Sequence, residues 1–83
     1  MNADLREACV LITGASGGMG LATAEAFAAE GARLVLHYHM QREPLRQVVQ
    51  QLGVRGVALP ADLRDEAQVE QLFAAALRKF PRI

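Results

Sequence analysis

The sequence predicts an α/β chain in which three strands alternate with three helices as βαβαβα, the half of a doubly wound parallel sheet. Three observations carry this expectation. Apolar runs of strand length recur at Ala8–Thr13, Arg33–Tyr38 and Arg55–Leu59. Each is followed by apolar residues at helical spacing. No internal repeat, low-complexity segment or long linker interrupts the pattern. Alternation of this kind implies parallel strands joined by right-handed crossovers, with helices packed on the sheet.

Taken in order, Ala8 to Thr13 is continuous in apolar residues, which suits a strand buried on both faces. Met19 to Glu30 reads as a helix with Leu21, Ala24, Phe27 and Ala28 on one face and Gly31 as its stop. The second strand, Arg33 to Tyr38, carries Leu34-Val35-Leu36. Arg42 to Leu52 forms the second helix, with Pro44 in its first turn, a stripe of Leu45, Val48, Val49 and Leu52, and Gly53 after it. Arg55 to Leu59 is a shorter third strand. In the last helix Asp65 and Gln68 have the spacing of a capping box, Val69, Leu72, Phe73, Ala76, Leu77 and Phe80 share one face, and Pro81 ends it.

With 83 residues the chain has room for one small domain, residues 1–83, and for no second one. A domain this short buries only about 60–65% of the surface its unfolded chain exposes, so its core is thin. Nine basic and nine acidic residues cancel and are interspersed, which points away from nucleic acid and anionic membranes as partners. Cys9 is the single cysteine and lies in an apolar strand, where it reads as a core residue; with no second cysteine to pair with, a reducing compartment is expected. The polar start MNADLREA has no signal-peptide pattern, and no apolar run reaches the roughly 20 residues of a membrane helix. A cytoplasmic protein is expected, with no metal site.

The stretch TGASGGMG, Thr13 to Gly20, sets four glycines between the first strand and the first helix. The amides of a helix's first turn lack intrahelical partners, and the helix dipole adds positive character, so a phosphate docks there when no side chain blocks it. Gly14 suits the tight turn off the strand, Gly18 close approach of a pyrophosphate, and Gly20 close packing of the helix against the sheet. Ser16 offers a hydroxyl, and Gly17 and Met19 complete the turn. A ligand-free glycine turn is the alternative, but a strand before and a helix after favour a nucleotide site. No GKS or GKT follows, which excludes the phosphate-binding loop of NTPases.

Through Thr13, Gly14, Gly18 and Gly20 this stretch resembles the TGxxxGxG motif of the short-chain dehydrogenases/reductases, and the resemblance covers nearly the whole chain. It implies an NAD(P)-binding Rossmann fold, present in part, with strand order 3-2-1. Ala61-Asp62-Leu63 resembles the family's adenine-pocket element, which implies that the Asp62 carboxylate accepts from the adenine amino group and Leu63 supplies a backbone contact. Gly14, Gly17 and Gly20 also satisfy the GxxGxxG spacing of the family's extended branch. The end of the second strand favours the classical branch. No carboxylate appears in LHYHMQR, where an NAD enzyme would carry one for the ribose hydroxyls, and the first is Glu43. His39, Gln41 and Arg42 stand there as donors for a 2′-phosphate, so NADP is the expected cofactor, ahead of NAD. Met40 occupies a place where NADP-using relatives often carry arginine, and the glycine loop has no basic residue. LHYHM also resembles the corresponding stretch of pteridine reductases.

The resemblance further implies hydride transfer to or from a carbonyl or alcohol substrate, assisted by a tyrosine in a YxxxK pattern and by a serine. The one tyrosine, Tyr38, is followed four residues later by Arg42, and the one lysine, Lys79, is on the last helix. No catalytic residue is therefore expected within the chain. It is expected to be the N-terminal cofactor-binding portion of an oxidoreductase that is homo-oligomeric when complete and meets its substrate only then. The alternative is a non-catalytic module that binds a dinucleotide or a protein partner through a half Rossmann fold.

Overall fold

The computed structural model describes residues 8–83. The polar start, and with it the expectation about a signal peptide, lies outside them. Strands β1 (Cys9–Ile12), β2 (Arg33–Tyr38) and β3 (Gly56–Pro60) form a parallel sheet in the order β1-β2-β3. This is the expected 3-2-1 arrangement, with β2 in the middle. Cys9 pairs with Arg33 through to Ile12 with Leu36, and Leu34 pairs with Gly56 through to Tyr38 with Pro60. Helix α1 (Gly18–Ala29) connects the first two strands, α2 (Arg46–Leu52) the second and third, and α3 (Glu66–Lys79) follows β3.

Side chains alternate across a strand, so the two faces of the sheet carry two cores. Val10, Ile12, Leu34, Leu36, Tyr38 and Ala58 meet Ala24 and Phe27 of α1 and Val48 and Leu52 of α2 on one face. Cys9, Leu11, Val35, Val57 and Leu59 meet Ala76 of α3 and Phe80 on the other. Both faces of β2 are covered, which is why Leu34 to His37 are all buried. β1 is paired on one side only among the described residues and is mostly half-buried.

Several boundaries differ from expectation for local reasons. The second helix does not begin as α-helix at Arg42: Glu43–Leu45 is a 3-10 turn, closed by the Leu45 N–H on the Arg42 carbonyl, and the α-helix starts at Arg46. Tighter i→i+3 bonds are a common solution at a helix end. β3 starts at Gly56, not Arg55, because Gly53 (φ +57) leads into another 3-10 turn, Gly53–Arg55. It then runs on to Pro60, a residue that an edge strand tolerates.

The α3 cap is only half of a capping box. Asp65 Oδ1 accepts from the N–H groups of Ala67 and Gln68, as expected. The Gln68 side-chain Oε1, however, accepts from the N–H of Asp62 at 2.8 Å, because Asp65 N–H is already donated to the Asp62 carbonyl. The apolar face of α3 is also wider than the sheet beneath it. Leu72, Ala76 and Phe80 are buried, while Phe73 and Leu77 remain nearly half exposed.

Candidate functional site

The turn leaving β1 is built on Gly14, whose φ of +61 lies in the left-handed region that favours glycine. Its carbonyl accepts from Gly17 N–H at 3.1 Å, and Gly17 becomes the N-cap of α1 without any side-chain cap. The first helical bond runs from Leu21 N–H to the Gly17 carbonyl, so the amides of Gly18, Met19 and Gly20 form the leading turn. No acidic residue stands in that turn to compete with an anion.

The glycines have different jobs. A Cβ on Gly20 would run into the backbone of the turn, meeting the Gly14 carbonyl oxygen, Ala15 Cα at 2.8 Å and Gly14 C at 3.0 Å. Gly20 thus lets α1 pack against its own entry turn, rather than directly against the sheet. A Cβ on Gly18 would meet nothing within 4 Å and would stand in open space ahead of the helix. Ser16 is half-buried, Met19 is exposed, and Ala15 is fully buried beneath the turn.

The segments after β2 and β3 open on the same carboxyl edge of the sheet, the edge at which open α/β folds bind ligands. They bring His39 and Asp62 together, with His39 Nε2 3.7 Å from Asp62 Oδ2. Sequence reasoning missed the third member. Arg64 forks onto Asp62: its Nε and backbone N–H donate to Oδ1 at 3.1 and 3.0 Å, and its terminal nitrogen donates to Oδ2 at 3.1 Å. The guanidinium hydrogen bonds, with help from the backbone N–H, hold the Asp62 carboxyl down to about 2. Asp62 is therefore an anion at any physiological pH. Leu63 is exposed beside it. The Asp-x-Arg spacing was the only available signal, and it is common in ordinary turns.

Gln41 and Arg42 are exposed on the segment leading to α2. Arg42 lines a shallow cavity of about 230 Å³ with Glu43, Leu45, Arg46, Val49 and Ala58, between α2 and β3. Of the expected donors after β2, His39 stands beside Asp62 and Arg42 lines this cavity.

A second residue missed by sequence reasoning is His37. It is buried on β2, its Nδ1 accepts from Gly14 N–H at 3.0 Å, and its Nε2 donates to the Ala61 carbonyl at 2.8 Å. A polar residue directly after the run Leu34-Val35-Leu36, in the same strand, was itself a signal, since buried polar groups need partners. Which partners could not be read from the chain. Tyr38 packs its ring into the α1/α2 core, in keeping with a structural part. Burial pushes the Cys9 thiol up, with Arg33 pulling the other way, so it stays protonated. Among the described residues no helix is long and apolar enough to cross a membrane, and no group of acidic, His or Cys side chains could hold a metal ion.

The family model for short chain dehydrogenases matches residues 8–83. The chain belongs to the short-chain dehydrogenase family. It is 40% identical over 73 residues to the hydroxynaphthalene reductase-like protein Arp2 of Metarhizium brunneum, covering 84% of this chain and 27% of that protein. It is 38% identical over 76 residues to a 3-oxoacyl-[acyl-carrier-protein] reductase of Synechocystis sp., covering 88% and 31%. Among solved structures, the 3-ketoacyl-(acyl-carrier-protein) reductase of Brucella melitensis complexed with NADH superposes with a TM-score of 0.84 at 34% identity, over 95% of this chain and 32% of that one. A short-chain dehydrogenase from Bacillus anthracis gives 0.83 at 30% identity, over 95% and 34%. This short-chain dehydrogenase chain therefore has the Rossmann α/β architecture expected of it, and spans about a third of the length of these relatives.

Proposed function

We propose that the chain is the cofactor-binding portion of an NADP-dependent short-chain oxidoreductase that moves hydride between NADP(H) and a carbonyl or alcohol substrate. The observation that carries this is the glycine turn into the start of α1, open at Gly18, on the same sheet edge as His39 and the ionised Asp62. The pyrophosphate would lie against the amides of Gly18, Met19 and Gly20, where no carboxylate opposes it. Ser16 would donate its hydroxyl to a phosphate or ribose oxygen. The Asp62 carboxylate would accept from the adenine amino group, with Leu63 contributing backbone.

For the cofactor's 2′-phosphate, the side chains at hand are His39, Gln41 and Arg42. The segment from Leu36 to Arg42 has no carboxylate to repel it. A charge-assisted hydrogen bond contributes ~1.5–3 kcal/mol, enough for a tenfold preference. When bound, the nicotinamide would give or take the hydride. The residues of this chain bind and orient the adenine half of the cofactor, while proton transfer at the substrate oxygen falls to residues outside the chain. The substrate-binding and self-assembling parts of the protein belong there too, and the setting proposed is the cytoplasm.

The test is binding of NADPH and NADH to the full-length gene product at moderate salt. NADPH is expected to bind at least tenfold more tightly. Equal affinities would remove His39, Gln41 and Arg42 from the 2′-phosphate, and absence of binding to either would remove the nucleotide site.

A further inference from the structure

The turn that meets the pyrophosphate and the turn that carries Asp62 are separate loops, leaving strands β1 and β3 that do not touch. A dinucleotide laid across both needs their spacing held, and among the described residues β2 is the strand that pairs with each. His37 stands at that position. Its own carbonyl accepts from Ala15 N–H at 2.8 Å, while its ring accepts from Gly14 N–H and donates to the Ala61 carbonyl, the residue before Asp62. The next carbonyl along β2, that of Tyr38, accepts from Ala61 N–H at 3.0 Å.

We infer that His37 is a positioning residue for cofactor binding, a buried imidazole strut that sets the distance between the glycine turn and the Asp62 turn. This rests on the reading of those turns as a dinucleotide site. The hydrogen-bond chemistry is specific. A backbone N–H can only donate, so Nδ1 must present its lone pair to Gly14 and the proton must sit on Nε2, facing the Ala61 oxygen. No hydrophobic residue of similar volume reproduces this, and a Gly14 N–H that loses this part-buried partner no longer ties the turn to β2. Asparagine places an amide oxygen close to where Nδ1 sits, and so keeps the Gly14 bond. Glutamine places its amide nitrogen near Nε2, and so keeps the Ala61 bond.

Three variants of the full-length gene product separate a strut from a mere core filler. H37L is expected to weaken NADPH binding at least tenfold under conditions where it remains folded. H37N is expected to recover affinity to within about threefold of wild type, and H37Q to remain weak, since the pyrophosphate turn depends on the Gly14 bond. Equal rescue by both amides, or an H37L that binds within twofold of wild type, would overturn the inference.

Two measurements need no cofactor. In the wild-type protein, nitrogen NMR of the imidazole should show a proton on Nε2 and none on Nδ1; the opposite tautomer overturns the strut. Amide exchange at Gly14 should be slow in wild type and H37N and fast in H37L and H37Q. If wild type binds no nucleotide while these exchange rates behave as stated, the dinucleotide reading fails and the strut stands as a feature of the fold. If Gly14 exchanges equally in all four proteins, the strut fails whatever binds.

Discussion

Replacing Gly18 and Gly20 in turn by alanine separates stability from binding within a single helix turn. At Gly20 an added Cβ meets turn backbone, with Ala15 Cα at 2.8 Å and Gly14 C at 3.0 Å. Ordinary van der Waals contact requires Ala15 to retreat by about 0.6 Å and the closer Gly14 carbonyl oxygen by more, and backbone tethered to His37 cannot do so freely. Overpacking of this kind costs roughly 1–3 kcal/mol, against a helix-propensity gain of at most about 1 kcal/mol for glycine to alanine. Because the obstacle is backbone the cost lies at the upper end of that range, and the net expectation for G20A is destabilisation by about 2 kcal/mol, with NADPH affinity reduced because the turn has moved. At Gly18 the same Cβ meets nothing within 4 Å, so G18A is expected to be neutral or more stable by up to about 1 kcal/mol. It nevertheless puts a methyl group into the space where the pyrophosphate would lie, and NADPH affinity should fall at least tenfold. Urea unfolding and NADPH titration of the two variants, side by side, give the four numbers needed. A G18A protein that binds NADPH as well as wild type would refute the assignment of that space, and a G20A protein as stable as wild type would refute the clash.

The Asp62–Arg64 pair makes a signed prediction about pH. Because the folded-state carboxyl is depressed to about 2, its contribution to stability is fully present above about 4 and is lost as pH falls through about 2. In R64A the Asp62 titration followed by carboxyl NMR should move up toward the ordinary aspartate range, and an unmoved titration would discount the fork. R42A should narrow the NADPH-over-NADH preference by threefold or more with NADH affinity unchanged, as read by direct binding; loss of both affinities together would point to a structural part for Arg42. D65A removes the acceptor of the Ala67 and Gln68 amides and should cost about 1 kcal/mol of unfolding free energy. A cost below a few tenths would mean that the Gln68 to Asp62 bond suffices to start α3.

Periodicity and turn chemistry are local properties, and what they govern was legible along the chain. The alternation of strands and helices, the stripes Leu45-Val48-Leu52 and Leu72-Ala76-Phe80, Asp65 as an N-cap and the glycine turn ahead of α1 all depend on neighbours within a few residues. The family motif is legible for the same reason, since it is one continuous loop. Only the tertiary structure could decide what happens between loops far apart in sequence. It brought His39, past the end of β2, beside Asp62, past the end of β3. It also turned a lone histidine in an apolar strand into the link between Gly14, 23 residues before it, and Ala61, 24 residues after. Such contacts are set by which carboxyl ends of parallel strands become neighbours. That depends on sheet order and register, and no stretch of sequence a few residues long contains it.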